Sequence, residues 1–216
     1  MTISPSSVRG IEKDFEQCEF YNSSYAQNEH FWPIMLREMK KKNFKFIDNE
    51  LLKGSNSESD EFIRQWLKIG LYLNKENEVL KNLGNAAETV YKSKKNREIL
   101  GLIYYRANNK DEALSVVEDL DGPNAENLKG TLALEKQEYE VAYGHFKLAL
   151  HKKPDSQNAL ERALPLSWLL GQWHEGPELI EMISNLSVGP KEKLTLDTAY
   201  RIQLGQHQRA NMQLKI

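Results

Sequence analysis

The chain has 216 residues, of which 40% are hydrophobic, and a formal net charge of −2. This near-neutral balance supplies no overall field that would draw the chain to nucleic acid or to anionic lipid. Its single cysteine, Cys18, excludes an internal disulfide and a thiolate-rich zinc site, which favours a reducing compartment.

The N-terminal residues lack the apolar segment of a secretory leader, and no run of eighteen apolar residues occurs anywhere in the sequence. We therefore expect a cytoplasmic protein without a membrane span. A first helix is predicted over residues 8–20, and a helical pair over residues 30–53. A polar loop, residues 54–59, follows this pair.

The next pair begins at Asp60, predicted as the N-cap, and its second helix covers residues 78–91. Gly70 is suited to be the small residue of the first helix, but the other repeat markers described below are missing. We therefore expect residues 1–93 to form an irregular N-terminal helical region of degenerate helical pairs.

Residues 123–156 form the clearest unit of the chain. Leu128, Leu132 and Leu134 suit a first helix, and a polar turn follows at residues 135–138. Apolar residues recur at helical spacing in the segment that comes next: Tyr139, Ala142, Phe146, Ala149 and Leu150. Pro154 ends this second helix, because proline lacks an amide donor and clashes with the preceding turn.

Copies of this unit stand on both sides of it. Thirty-four residues after Tyr139, Ala142 and Phe146 come Trp173, Gly176 and Ile180. Gly205 and Ala210 continue the series, while the preceding copy is only 29 residues long because Pro123 shortens its second helix. The predicted repeats are residues 94–122, 123–156, 157–190 and 191–216, the last of them incomplete.

This pattern resembles the tetratricopeptide repeat (TPR), a helix-turn-helix family with a 34-residue period. Its small, aromatic and closing positions correspond to Gly130, Ala142, Phe146, Ala149 and Pro154. The resemblance implies an all-α fold, a right-handed α-solenoid of stacked helix pairs. Two short helices cannot bury both of their apolar stripes against each other, so each pair needs neighbours.

In the TPR family, the concave face is lined mainly by positions 2, 5, 9, 12 and 13 of each first helix. The resemblance therefore implies a binding groove with Tyr105, Leu134 and Trp168 as apolar anchors. The residues predicted to line it are Glu98, Leu102, Tyr105, Asn127, Thr131, Leu134, Glu161, Pro165, Trp168 and Ile202. In the opposing interpretation, Tyr105 and Trp168 are covered by the N-terminal helices of the same chain or are core residues that pack between repeats. Pro165 is expected to bend its helix, since it removes the hydrogen bond to Glu161.

No catalytic, metal or cofactor motif occurs in the sequence, so we expect a non-enzymatic scaffold or adaptor without a cofactor. Its predicted partner is a peptide or amphipathic helix of another protein, in a secretion, pilus, motility, chaperone or signalling assembly. Basic runs such as residues 92–97 keep RNA binding by helical repeats as the alternative. The uncapped last repeat predicts a continuation of the chain beyond Ile216, a capping partner or a homo-oligomer.

Overall fold

The computed structural model describes residues 59–182 and 190–213, together with residues 37, 38, 41, 43 and 45. The predicted helix over residues 8–20 and nearly all of the predicted pair over residues 30–53 lie outside these ranges. So do the residues that join the last two repeats and the end of the last helix. The predicted division into residues 1–93 and 94–216 therefore stays a prediction.

Every described element is helical. In chain order they are α1 (Asp60–Tyr72), α2 (Glu76–Lys81), a 3-10 turn (Gly84–Ala86), α3 (Ala87–Lys92), α4 (Lys94–Arg106), α5 (Lys110–Val117), α6 (Pro123–Glu135), α7 (Tyr139–Lys152), α8 (Gln157–Leu169), a second 3-10 turn (Trp173–Glu175), α9 (Gly176–Met182), α10 (Pro190–Gln203) and α11 (His207–Gln213). No strand occurs in these ranges. The predicted all-α class is confirmed.

The helices begin and end close to where the local sequence predicts. Ser59, one residue before the predicted N-cap, caps α1 by accepting a hydrogen bond from the Phe62 amide at 3.3 Å. Pro123 stands in the first turn of α6, where a missing amide hydrogen costs nothing. The α5 helix has only 8 residues and α7 has 14, as the short copy requires.

A recurring turn connects the two helices of each pair. The second residue after the first helix has a positive φ angle in all five described pairs. These residues are Asn74, Asn108, Gln137, Gly171 and Gly205, and they lie 34, 29, 34 and 34 residues apart. The spacing places the α1 pair, which lacks most of the sequence markers, in the same register as the later copies.

Two backbone hydrogen bonds close each of these turns. In the turn after α6, the Gln137 amide donates to the Leu134 carbonyl and the Glu138 amide donates to the Ala133 carbonyl, both at 3.0 Å. The same two bonds recur in the other four turns. This is the Schellman arrangement, which satisfies the carbonyls at a helix end. Each first helix therefore ends in the same way.

The structure divides into two compact units, with the boundary between Ala113 and Leu114 inside α5. In the first unit, α1 packs against α2, α3 and α4. In the second unit, each helix from α6 to α11 packs against the next one along the chain. This nearest-neighbour order is typical of helical repeats.

Small residues set the distance between neighbouring helices in the second unit. A Cβ atom at Gly130 on α6 would lie 2.9 Å from Cε1 of Phe146 on α7, and one at Gly176 on α9 would overlap the Tyr200 ring on α10. Phe146 and Tyr200 are both fully buried. Gly70 has the same role in the first unit, where a Cβ would overlap Val79.

Candidate functional site

In the second unit, side chains of α6 and α8 contact each other directly. The Arg162 guanidinium donates a hydrogen bond to Oγ1 of Thr131, and Nδ2 of Asn127 donates to Oγ of Ser156 at 3.0 Å. Arg162 also lies over the Phe146 ring, 5.8 Å from its centroid. Asn127 and Thr131, predicted to line a groove, are half-buried and help to join these two first helices.

Tyr200 joins α8 to α10 in a similar way. Its hydroxyl oxygen lies 2.8 Å from Oγ of Ser167 and donates to the Leu164 carbonyl at 2.9 Å. Its ring meets the Trp168 ring edge-on, with 5.0 Å between the centroids. Burial raises the pKa of Tyr200 above its ordinary value, so the hydroxyl keeps its proton as a donor.

These contacts leave large apolar side chains exposed on α8 and α10. Trp168 is 40% exposed, Leu169 63% and Ile202 45%, and Pro165 is exposed as well. Leu134 on α6 is half-buried against the core. We call Leu134, Pro165, Trp168, Leu169 and Ile202 the first-helix face of the second unit. Large apolar side chains that remain exposed on one set of helices are candidates for contact with a partner.

The predicted anchor Trp168 combines the two interpretations left open by the sequence. Its ring packs at right angles against that of buried Tyr200, and the residue keeps 40% of its surface exposed to solvent. Trp168 is therefore both a contact between first helices and a part of the exposed surface.

The first-helix face has an acidic neighbour in Glu161. This residue is exposed on α8 and accepts a hydrogen bond from Nε2 of Gln157 at 2.7 Å. Pro165 lies inside α8, which continues through it to Leu169. The bend predicted at Pro165 stays a prediction.

In the first unit, the three predicted site residues all lie on α4. Leu102 is 40% exposed, whereas Glu98 and Tyr105 are half-buried. On α1, Tyr72 is 65% exposed. The first unit therefore also presents apolar surface on its first helices.

The sequence prediction missed two exposed side chains, Leu169 and Tyr72. Both occupy position 13 of a first helix, one of the positions that the TPR resemblance names. The prediction selected residues at positions 5, 9 and 12 only. Extending the same count by one residue would have found Leu169, whereas Tyr72 lies in the α1 pair, which the sequence did not assign to a repeat.

One histidine, His145, contacts a buried carboxylate on the neighbouring helix. Nδ1 of His145 on α7 lies 2.7 Å from Oε2 of Glu126 on α6, a carboxylate that is only 5% exposed and also pairs with Lys129 at 3.3 Å. This contact joins the helices of one pair. Among the residues that the structure describes, no three His, Cys, Asp or Glu side chains are grouped closely enough to hold a metal ion.

Of the comparisons with known proteins, the one with solved structures agrees with this architecture. No protein-family model matches the sequence, and no curated protein matches it either. The structure is similar to the crystal structure of PilW, a widely conserved type IV pilus biogenesis factor, with a TM-score of 0.54 and 17% sequence identity. The match covers 84% of this chain and 87% of PilW.

This chain has an all-α, helical-repeat fold. At 17% identity the likeness to PilW establishes that fold and does not transfer the site residues, because unrelated functions share folds. Within the described ranges, no helix is both long enough and apolar enough to cross a membrane.

Proposed function

We propose that this chain is a TPR-like, non-enzymatic scaffold whose first helices bind a segment of another protein. The observation that carries the proposal is the exposure of Trp168, Leu169 and Ile202 on α8 and α10. Side chains of this size stabilise a fold when they are buried, and their exposure on the first-helix face leaves them available to a partner.

The residues of the first-helix face and its neighbour Glu161 indicate what kind of partner this surface would bind. Pro165, Trp168 and Leu169 offer apolar contacts on one helix, and Glu161 adds a carboxylate one turn before Pro165. A matching ligand is an amphipathic helix or an extended peptide that has an apolar side and a basic side chain. Trp168 is the kind of residue that dominates such interfaces, because a large and partly fixed ring loses little conformational entropy on binding.

The likeness to PilW supports a place in a multiprotein assembly. PilW is a type IV pilus biogenesis factor, and the fold is shared over 84% of this chain. A pilus or related secretion assembly is therefore the first context in which to look for the partner. A cytoplasmic location and recognition through a concave groove are parts of this proposal that the partner's identity would test.

RNA is a less suitable ligand for the first-helix face. RNA-binding repeats need cations for the phosphates, whereas Arg162 on α8 is bonded to Thr131 and Glu161 is acidic. A protein partner fits this surface better.

Partner capture with matched variants tests the proposal. We expect a protein captured by the wild-type chain from its native cells to be lost with the double variant Leu169→Ala, Ile202→Ala. It should be retained with Met212→Ala, because Met212 is 64% exposed but lies on α11, a second helix. Leu169 is 63% and Ile202 45% exposed, so the thermal midpoint of the double variant should remain near the wild-type value. Unchanged capture by the folded double variant would refute the role of this face.

A further inference from the structure

A second surface lies along α7, a second helix of the repeat pairs. A groove of about 950 Å³ runs between the outer side of this helix and the residues that follow α8, among them Leu170 and Glu175. Val141, Gly144 and Leu148 line it on α7, with Glu140 near one end and His151 near the other. None of these residues belongs to the first-helix face.

The α7 helix is apolar on two sides. Ala142, Phe146 and Ala149 face the core and are fully buried. Val141 and Leu148 are 50% and 49% exposed, and their separation of seven residues places them on one side of the helix, two turns apart. A helix in a monomeric repeat needs one apolar side for its neighbours, and an exposed second one is typical of a helix that also packs against a partner.

Gly144 lies between these two residues, in the middle of the helix. A Cβ atom built there meets nothing within 4 Å among the described residues, and its φ angle is not positive. Neither space nor backbone conformation therefore requires glycine, which is a poor helix former. Gly130 and Gly176 differ, because side chains of the same unit fill the space beside them. Glycine at 144 would allow the backbone of an external helix to approach closely.

The two ends of the groove carry an acidic and a basic side chain. Glu140 lies in the first turn of α7 and His151 in its last turn, whereas Lys147 between them is already paired with Glu175 at 2.8 Å. Two copies of α7 crossing antiparallel at Gly144 would place the acidic end of each helix beside the basic end of the other. A parallel arrangement would place Glu140 beside Glu140.

We propose that a second copy of this chain docks antiparallel along α7, with the two Gly144 residues at the two-fold axis. Val141 stands three residues before Gly144 and Leu148 four residues after it, at about 4.5 Å and about 6 Å along the helix axis. Each Val141 would then meet the second copy's Leu148. The surface is thus complementary to itself, as a two-fold symmetric interface requires. One helix pair buries little area, so the dimer should be weak and concentration-dependent.

Sedimentation velocity of the full chain over a range of concentrations tests this inference. We expect a reversible monomer–dimer equilibrium for the wild type. Gly144→Ala should raise the dimer dissociation constant by about tenfold or more. In the dilute monomer the same variant should have a higher thermal midpoint than the wild type, because alanine is the better helix former.

Gly84→Ala is the matched control for that variant. Gly84 also has nothing within 4 Å of a built Cβ among the described residues, but it lies in the first unit, outside the groove. The Gly84→Ala variant should leave the dimer dissociation constant unchanged. Met212→Asp on α11 separates this interface from association through the last repeat and should also have no effect. A dimer that Met212→Asp abolishes and Gly144→Ala does not would overturn the inference.

Charge reversal tests the antiparallel geometry. Glu140→Lys and His151→Glu should each weaken self-association, since each places like charges together at both ends of the interface. An equimolar mixture of the two variants should restore a dimer, because both contacts are then between opposite charges. Glu118→Lys, on an exposed residue outside α7, is the control for Glu140→Lys, because both substitutions change the net charge by the same amount. A wild type that stays monomeric at all concentrations, or a mixture that associates no better than its components, would refute the proposal.

Discussion

At the scale of single residues, Gln137 has a backbone conformation that glutamine rarely adopts. Its φ angle is 61°, in the left-handed region, where the equivalent turns have Gly171 and Gly205. Asn74 and Asn108 occupy the two earlier turns. Asparagine tolerates the left-handed region better than glutamine does, and glycine enters it without steric cost.

We expect Gln137→Gly to stabilise the chain. The strain of a left-handed non-glycine residue is about 1–2 kcal/mol, and the added entropy of glycine in the unfolded chain offsets about 0.5–1 kcal/mol of it. The free energy of unfolding, measured with denaturant, should rise by about 0.5–1 kcal/mol. Gly171→Ala should have the opposite sign. A loss of stability in Gln137→Gly would show that the glutamine side chain contributes more than its backbone strain costs.

Glu175 forms a contact whose contribution to stability depends on pH. Its carboxylate is 22% exposed and accepts hydrogen bonds from the Tyr143 hydroxyl at 2.7 Å and from Nζ of Lys147 at 2.8 Å. Burial raises the pKa of Glu175, but the hydrogen bonds from Lys147 and Tyr143 outweigh it, so the pKa lies below its ordinary value of 4.5. Burial, followed by the bond to Glu175, raises the pKa of Tyr143. The contacts of Glu175 with Tyr143 and Lys147 join α7 to the 3-10 turn before α9.

We expect Glu175→Gln to lower the free energy of unfolding by about 1 kcal/mol at about pH 7. A carboxylate whose pKa is lowered by folding stabilises the protein above its unfolded pKa and loses this effect as the pH falls through the folded value. The difference between wild type and variant should therefore be constant above about pH 5 and shrink towards about pH 3. Glu178→Gln, at an exposed site on α9, is the control. A difference that persists at the lowest pH would contradict the assignment to Glu175 ionisation.

At the scale of helices, the distance between neighbours depends on where glycine replaces a larger residue. Gly130 has to be small because Phe146 occupies the space beside it. Alanine would be the better helix former at this position by about 1 kcal/mol, but overpacking a rigid ring costs about 1–3 kcal/mol. The packing cost should exceed the gain in helix propensity.

We expect Gly130→Ala to destabilise the chain by about 1 kcal/mol. In the background Phe146→Leu, where the nearest ring atoms are gone, the same substitution should become neutral or stabilising. Denaturant unfolding of the two single variants and the double variant forms a cycle that isolates this pair. Additive effects would show that the Gly130 requirement lies elsewhere.

Contacts between helices also make Trp168 a poor residue for testing partner binding alone. Its edge contact with Tyr200 belongs to the joint between α8 and α10. Trp168→Ala should lower the free energy of unfolding by about 1 kcal/mol and also weaken partner binding. Thermal unfolding and partner capture on the same preparation separate the two effects, since Leu169→Ala should weaken binding with little loss of stability. Equal stability of Trp168→Ala and wild type would remove the structural role assigned to this ring.

At the scale of the whole molecule, the net charge favours a protein partner over a nucleic acid. The net charge is −2, and the acidic Glu161 lies beside the first-helix face of the second unit. We expect the purified chain to leave the mobility of single-stranded RNA unchanged on a gel at about 0.15 M salt. Retention of RNA that weakens steeply with added salt would favour the RNA-binding alternative instead.

Much of the fold could be predicted from the sequence because its signals are local. The spacing of Tyr139, Ala142 and Phe146 predicted α7, and the polar turn before it was located correctly. The register of the α1 pair could not be recognised, because Asn74 has a left-handed conformation that its residue type only permits. The candidate site was predicted only in part. The position of a residue in the repeat indicates which helix it lies on and which side of that helix it occupies, but not how much of its side chain is exposed.

The sequence by itself determined the helical class, the repeat period and the small residues that let helices approach, because each depends on neighbours within one turn or one repeat. The tertiary structure decided which apolar residues remain exposed. Tyr200, 32 residues from Trp168, covers one edge of that ring, while Leu169 beside it stays 63% exposed. Burial is a property of contacts between distant segments, so it becomes known only when the helices are packed.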